Sequence, residues 1–107
     1  MIPVRPGQEV VETMSRDLRE RGVANGAVIS LIGTVDAACI STRPEGDASK
    51  DVRTAYEQPF ELSGTGEITD GKVHLHVVLG AEDRALAGHL HWARVQTFFV
   101  NAYVEAL

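Results

Sequence analysis

Apolar residues near the start of the chain recur at helical spacing. The segment "GQEVVETMSRDLRERGV", residues 7–23, places four of them on one face: Val10, Val11, Met14 and Leu18. This period predicts an amphipathic helix, and Gly22 is a natural C-terminal stop. Glu12 and Arg16 lie four residues apart, which indicates a solvated face with paired charges.

The next segment has the composition of a strand. Residues 26–42, "GAVISLIGTVDAACIST", are rich in β-branched side chains. Gly33 interrupts them, so we predict either one strand with a bend or bulge, or two short strands. The polar, turn-rich residues 42–59 that follow are predicted to be a surface excursion, with a mobile functional loop as the alternative.

Asp70 and Gly71 form a strong two-residue hairpin signal, because the tight turn needs positive φ at both positions. Thr69 then faces Lys72, and the register of both strands follows. One face of the hairpin is apolar and is predicted to join the core: Phe60, Leu62, Ile68, Val73, Leu75, Val77 and Leu79. The opposite face is polar.

All four histidines lie in "KVHLHVVLGAEDRALAGHLH", residues 72–91. His74 and His76 alternate onto the polar face with α-carbons about 6.5 Å apart, so both imidazoles can reach one metal ion. Two ligands alone bind weakly, and His89 is the third candidate. His91 is a weaker one, since it joins His89 only if this segment is extended; on a helix the two would point in nearly opposite directions. The alternative is a solvated strand face that binds nothing.

The chemistry of such a site depends on its open position. Three neutral imidazoles suit zinc, and also nickel, copper or iron, and leave a fourth coordination position for water. Glu67 lies directly across from His74 in the predicted register. It is the candidate catalytic residue, either orienting that imidazole or acting as a general base. The alternative is an ordinary cross-strand polar pair worth about 0.2 to 1 kcal/mol.

The terminal segment "VQTFFVNAYVEAL", residues 95–107, predicts a strand that is apolar on both faces. One face carries five apolar residues: Phe98, Val100, Ala102, Val104 and Ala106. The other carries Phe99, Tyr103 and Leu107. A second covering layer is therefore needed, supplied by a neighbouring subunit or by the first helix.

Composition narrows the class of protein. A chain of 107 residues has the size of one domain, and we expect a single domain over residues 1–107. Ten basic and fifteen acidic residues give a net charge of −5, which weighs against nucleic acid as the main partner. The single Cys39 excludes an internal disulfide and every cysteine-rich zinc motif. No apolar run approaches the about 20 residues of a membrane span, so we expect a cytoplasmic protein without a membrane partner.

The order of several motifs resembles the plants-and-prokaryotes-conserved domain, the PCC or PPC domain. "SLIGTV" is followed by "PFELSGTGEI", a hairpin into "HLHVVL", and "AGHL". The resemblance implies a small α+β domain, mainly an antiparallel β-sheet with flanking helices, that assembles as a stable homotrimer. It also implies that a metal is held by the "HxH" and "GHL" histidines, here His74, His76 and His89.

Two departures from the family pattern limit what the resemblance implies. The family usually has two glycines before the histidine of its second motif, where this chain has Ala87 and Gly88, so a close backbone approach is expected to be altered. Plant nuclear members carry an AT-hook with a Gly-Arg-Pro core, and nothing of that kind occurs in these 107 residues. DNA binding is therefore not inherited from the resemblance.

Three functional hypotheses follow. The leading one is a non-catalytic, metal-containing trimeric module that organises protein partners or senses a small molecule. The second is a small metal-dependent enzyme that hydrolyses or hydrates a small molecule. The third is a DNA-associated regulator, which would need a basic face created by trimerisation.

The three-histidine hypothesis predicts that metal binding depends on pH. Histidine ligands must be deprotonated, so bound metal should be released as the pH falls toward about 5 to 6. Metal content measured after equilibration across a pH series would check this. Full retention of the metal at pH 4 would contradict an exposed three-histidine site.

Overall fold

Nine strands and one helix account for most of the chain. The computed structural model describes residues 1–107. In chain order the elements are β1 (Ile2–Val4), β2 (Gln8–Glu9), α1 (Val10–Glu20), β3 (Gly26–Val35), β4 (Ala37–Thr42), β5 (Val52–Tyr56), β6 (Phe60–Thr69), β7 (Lys72–Gly80), β8 (Ala85–Val95) and β9 (Val100–Ala106).

All nine strands join one sheet in the order β1-β9-β3-β6-β7-β8-β4-β5, with β2 paired to β8. Every pairing is antiparallel. The predicted mainly antiparallel α+β architecture is confirmed, but the expectation of several flanking helices is wrong, since α1 is the only helix. Outside α1 the buried residues mostly recur every second position, and this period suits strands.

The single helix is shorter than the predicted residues 7–23. The Glu9 carboxylate accepts hydrogen bonds from the backbone N–H groups of Val11 and Glu12 at 2.9 and 2.8 Å, which starts the helix at Val10. It also accepts one from the N–H of Ala93 at 2.9 Å, so the same side chain ties the helix to β8. The predicted stop at Gly22 is confirmed by its positive φ of 72°.

The break predicted at Gly33 lies elsewhere. β3 runs through Gly33, its register shifts between Val28 and Leu31, and the chain leaves the strand only at Asp36. Gly33 is needed for a different reason: a Cβ there would lie 2.0 Å from the carbonyl oxygen of Phe99. Glycine therefore permits a close backbone approach between β3 and the segment leading into β9.

Asp36 holds the corner between β3 and β4. Its carboxylate accepts hydrogen bonds from the N–H groups of Gln96 and Thr97 at 2.8 and 3.0 Å, and from the Thr97 hydroxyl at 2.6 Å. The bond from the Thr97 hydroxyl is the main cause that lowers the pKa of Asp36, with burial opposing it. This corner fixes the loop between β8 and β9.

The polar segment 42–59 is only partly a surface excursion. Residues 52–56 form β5, an edge strand paired with β4. The apolar alternation that identifies a half-buried strand is missing there, because most of β5 is exposed on both sides. Residues 43–51 form the connection between β4 and β5.

The predicted hairpin is confirmed. Asp70 and Gly71 have φ of 51° and 79°, and Thr69 pairs with Lys72. Six of the seven predicted core residues are buried, and Val73 is half-buried. The hairpin thus contributes its apolar face to the core.

The helix covers one face of the sheet, here called the inner face. α1 packs against β1, β7 and β8 and buries its own apolar side chains in the core: Val10, Met14 and Leu18. The terminal strand β9 contributes the buried Val100 and Ala102 to the same core, whereas Phe98 and Ala106, which were predicted to share their face, are exposed. Phe98 lies before β9 begins, and Ala106 lies at its end.

The opposite, outer face has no covering element in the chain. Large apolar side chains on or beside β3, β7 and β9 remain 44 to 55% exposed, and we call them the outer apolar patch: Ile29, Ile32, Val78, Phe99 and Tyr103. The first helix therefore does not supply the second covering layer. No helix of this chain is long and apolar enough to cross a bilayer.

The close approach at Gly33 predicts a specific loss of stability. Gly33→Ala should lower the free energy of unfolding by about 1 to 3 kcal/mol, because the added methyl group collides with a backbone carbonyl that cannot move aside alone. Urea denaturation of both proteins would measure the difference. Gly80→Ala is the matched control, since a Cβ there meets nothing closer than 3.7 Å and should change stability by less than about 0.5 kcal/mol. Equal effects at the two glycines would contradict this account.

Candidate metal centre

Three of the four histidines converge on the outer face. His74 and His76 point outward from β7, and the pairing of β7 with β8 places His89 directly opposite His76. Their nearest potential ligand nitrogens all lie within 4.8 Å of one another. The sequence-predicted set is thus brought together by two neighbouring strands.

The spacing of these nitrogens suits a transition metal. Four ligands at zinc–nitrogen distances of about 2.0 to 2.1 Å in a tetrahedron lie about 3.4 Å apart. Small rotations of the exposed imidazoles of His74 and His76 would close the remaining gap to His89, which is half-buried. The residues therefore fit a metal ion with three imidazole ligands.

Burial and neighbouring charge keep His89 in its metal-binding form. Burial lowers the pKa of His89 most, and the nearby imidazoles of His91, His74 and His76 lower it further, while Asp51 opposes them. A lower pKa favours the neutral imidazole at neutral pH. Neutral imidazole is the form that donates a lone pair to a metal.

His91 lies beside the cluster but outside it. β8 is extended here and bulges opposite Cys39 and Ile40, so the ring of His91 lies 4.7 Å from the ring of His89, centroid to centroid. Its Nε2 lies 2.8 Å from the hydroxyl oxygen of Ser41, within hydrogen-bond distance. Burial lowers the pKa of His91, and Arg53 lowers it further. The hydrogen-bond partner of His91 is thus Ser41, which lies 50 residues away in the sequence and was not identified by any sequence signal.

Glu67 faces His74 as the hairpin register predicted. The carboxylate oxygen of Glu67 lies 3.8 Å from Nδ1 of His74, which is too long for a hydrogen bond, and both side chains are about half exposed or more. Such an exposed pair contributes little to stability. A catalytic or orienting role for Glu67 stays a prediction.

A polar cleft of about 440 Å³ opens beside the three histidines. Its other wall comes from the end of β4 and the connection to β5, and none of its lining residues is hydrophobic: Ser41, Thr42, Arg43, Asp51, His74, His76, Gly88 and His89. Arg43 and Asp51 were missed by sequence reasoning because they lie in the segment predicted to be a surface excursion. Only the pairing of β4 with β8 brings that segment to the site.

Gly88 and Ala87 precede His89 in the second histidine motif, where the family usually has two glycines. A Cβ at Gly88 would lie 2.5 Å from the carbonyl oxygen of Ser41, so this position must be glycine for β8 to approach β4. Ala87 is exposed on the outer face opposite Val78, where a methyl group fits. The close contact in this chain occurs at Gly88, and an altered backbone approach at Ala87 relative to the family stays a prediction.

The fold and the cluster together define a small antiparallel-sheet protein with a group of potential metal ligands on its open face. The model of the Plants and Prokaryotes Conserved (PCC) domain matches residues 1–106. The chain belongs to this family, as its motifs indicated.

Solved structures of similar fold come from bacteria and archaea. A protein from Ralstonia eutropha JMP134, named provisionally as a DNA-binding protein, is 21% identical with a TM-score of 0.83, over 98% of this chain and 75% of that one. A metal-containing protein from Archaeoglobus fulgidus is 27% identical with a TM-score of 0.76, and the match covers 97% of this chain and 77% of that one. A plant- and prokaryote-conserved (PPC) protein from Pyrococcus horikoshii is 24% identical with a TM-score of 0.78, and the match covers 98% of this chain and 77% of that one. No curated protein matches the sequence.

Proposed function

We propose that this protein is a metal-binding PCC module in which His74, His76 and His89 hold zinc or another divalent transition metal. The observation that carries the proposal is the convergence of three potential imidazole ligands within 4.8 Å on the open face of the sheet. The description of the Archaeoglobus fulgidus relative as a metal-containing protein supports it.

Zinc is the metal that three imidazole ligands most commonly indicate. Three neutral imidazoles and one open position are a common zinc arrangement, while nickel, copper and iron also accept imidazole ligands. When bound, such a metal supplies a Lewis-acidic centre with a position for water or a ligand. The protein's own part is to orient three imidazoles and to shape the cleft beside them.

Replacing a ligand should remove the metal without unfolding the protein. We expect about one metal ion per chain in the parent, measured by elemental mass spectrometry on untagged protein, and near-complete loss in His74→Ala and His89→Ala, since two imidazoles bind weakly. Circular dichroism would verify that the variants remain folded.

His91→Gln is the matched control for this experiment. His91 lies in the same histidine-rich segment but bonds Ser41, so this variant should keep the metal. A parent that takes up no metal even after incubation with zinc would overturn the proposal. Loss of the metal in His91→Gln alone would reassign the site.

We infer that the module acts as an assembly or ligand-sensing unit and that it forms a homotrimer through the outer apolar patch. Exposed apolar side chains clustered on neighbouring strands are typical of protein interfaces. Ile32, Val78 and Phe99 border one shallow hollow, and Ile29 and His76 border the next. The number of three subunits rests on the resemblance to trimeric family members.

Introducing a charge into the outer apolar patch should dissociate the trimer. Three chains of 11.6 kDa give roughly 35 kDa. We expect light scattering coupled to size-exclusion chromatography to find that mass for the parent, and a monomer for Ile32→Asp, because the carboxylate would be buried without a partner. Val52→Asp changes another exposed apolar residue, 47% exposed against 55% for Ile32, on β5 and should leave the trimer intact. A parent that elutes as a monomer would contradict the inference.

A metal-dependent enzyme is the second candidate function. The polar cleft beside the histidines favours it, because the cleft gives a small molecule access to the open coordination position. Asp51 lines this cleft and Glu67 lies opposite His74, so two carboxylates are available for proton transfer. Turnover of a small molecule would separate this candidate from a binding module.

A DNA-associated role, suggested by the provisional name of the Ralstonia eutropha relative, has weaker support. Each chain carries a net charge of −5, so a trimer would carry −15, three times that value. Phosphate backbones bind proteins mainly through lysine and arginine. The charge of this chain opposes such binding.

A further inference from the structure

We propose that the polar cleft beside the three histidines binds a small dicarboxylate, with one carboxylate at the metal and the other at Arg43. The inference rests on the proposed metal site and names the class of ligand that the site receives. Three features carry it: the free donors of Arg43, the charge balance of the cleft, and its size and polarity.

The Arg43 side chain is 60% exposed, and its two hydrogen bonds use only Nη1, so its best binding edge stays free. Its Nη1 donates to the carboxylate of Asp51 at 2.8 Å and to the carbonyl oxygen of Lys50 at 3.2 Å. Nε and Nη2 take part in none of the hydrogen bonds of the structure. These two groups form the edge of a guanidinium that binds a carboxylate through two parallel hydrogen bonds.

Asp51 balances the positive charge of Arg43 in the cleft. The positive charge of Arg43 and the negative charge of Asp51 cancel, and neutral imidazoles add nothing. A divalent metal on three neutral imidazoles keeps its full charge of about +2. The loaded cleft therefore has a net charge that matches the two negative charges of a dicarboxylate.

The lining of the cleft also selects for a small polar ligand. All eight lining residues are polar, charged or glycine, and the volume of about 440 Å³ is near the low end for small-molecule sites. A ligand with an apolar body would find no partner there. The hollow beside the outer apolar patch shares only His76 and Gly88 with this cleft. The two surfaces therefore have separate chemistry.

The test uses the 107-residue chain loaded with Co²⁺, whose visible spectrum reports changes in coordination. Metal uptake is measured first in every sample. Succinate, acetate and inorganic phosphate are then titrated separately at constant ionic strength. We expect succinate to bind about 10- to 100-fold tighter than acetate, because only succinate carries a second carboxylate for the charged donors of Arg43.

Two arginine variants separate a specific contact from general electrostatic attraction. Arg43→Gln should bind both anions more weakly, because Asp51 loses its counter-charge, and it should lose most of the preference for succinate over acetate. Arg53→Gln is the matched control, because Arg53 lies on β5 opposite Ser41 and near His91 but does not line the cleft. It should keep the preference.

Each other outcome overturns the inference in a distinguishable way. Normal Co²⁺ uptake without a preference for succinate, or with the same preference in Arg43→Gln, would overturn the dicarboxylate assignment and leave the metal site standing. Phosphate bound as tightly as succinate would replace the ligand class with a compact oxyanion. Absence of metal uptake would overturn both proposals.

Discussion

The tight turn at Asp70 and Gly71 is the constraint on which the candidate site depends. Both residues have positive φ, and this conformation pairs Thr69 with Lys72 and so sets the register of β6 against β7. A slip of one residue would turn His74 and His76 toward the core and expose the apolar side chains of β7. Burial of those apolar side chains under α1 therefore stabilises the outward direction of the histidines. His74 and His76 of the candidate metal centre thus lie on the polar side of β7, whose other side is part of the core.

The second determinant is the position of β8 between β7 and β4. On one side, β8 places His89 opposite His76. On its other side it holds β4 so closely that Gly88 has no room for a side chain, and this contact brings Ser41 and the following residues to the histidines. The ligands and the opposite wall of the cleft thus come from elements on both sides of one strand. A change that weakens the β4–β8 contact should disturb the cleft before it disturbs the histidines.

A single helix leaves the protein with one covered and one open sheet face. The core lies between α1 and the inner face, and all of the candidate chemistry lies on the outer face. The outer apolar patch occupies that same face, next to His76. Under the proposed function, the assembly surface and the metal site are therefore neighbours in space. The exposed apolar area is the reason why we propose a partner for this face and none for the helix-covered face.

The sequence by itself determined the features that depend on local geometry: the helix from its apolar period, the hairpin and its register from Asp70 and Gly71, and the shared side of His74 and His76 from strand alternation. These follow because neighbouring residues in a helix, strand or tight turn have nearly fixed relative positions. Tertiary structure alone decided the role of Gly33, the strand β5, the Ser41 partner of His91, and the arrival of Arg43 and Asp51 at the cleft. Each of these depends on contacts between residues far apart in sequence, whose relative placement is set by the strand order of the whole sheet and not by any local pattern.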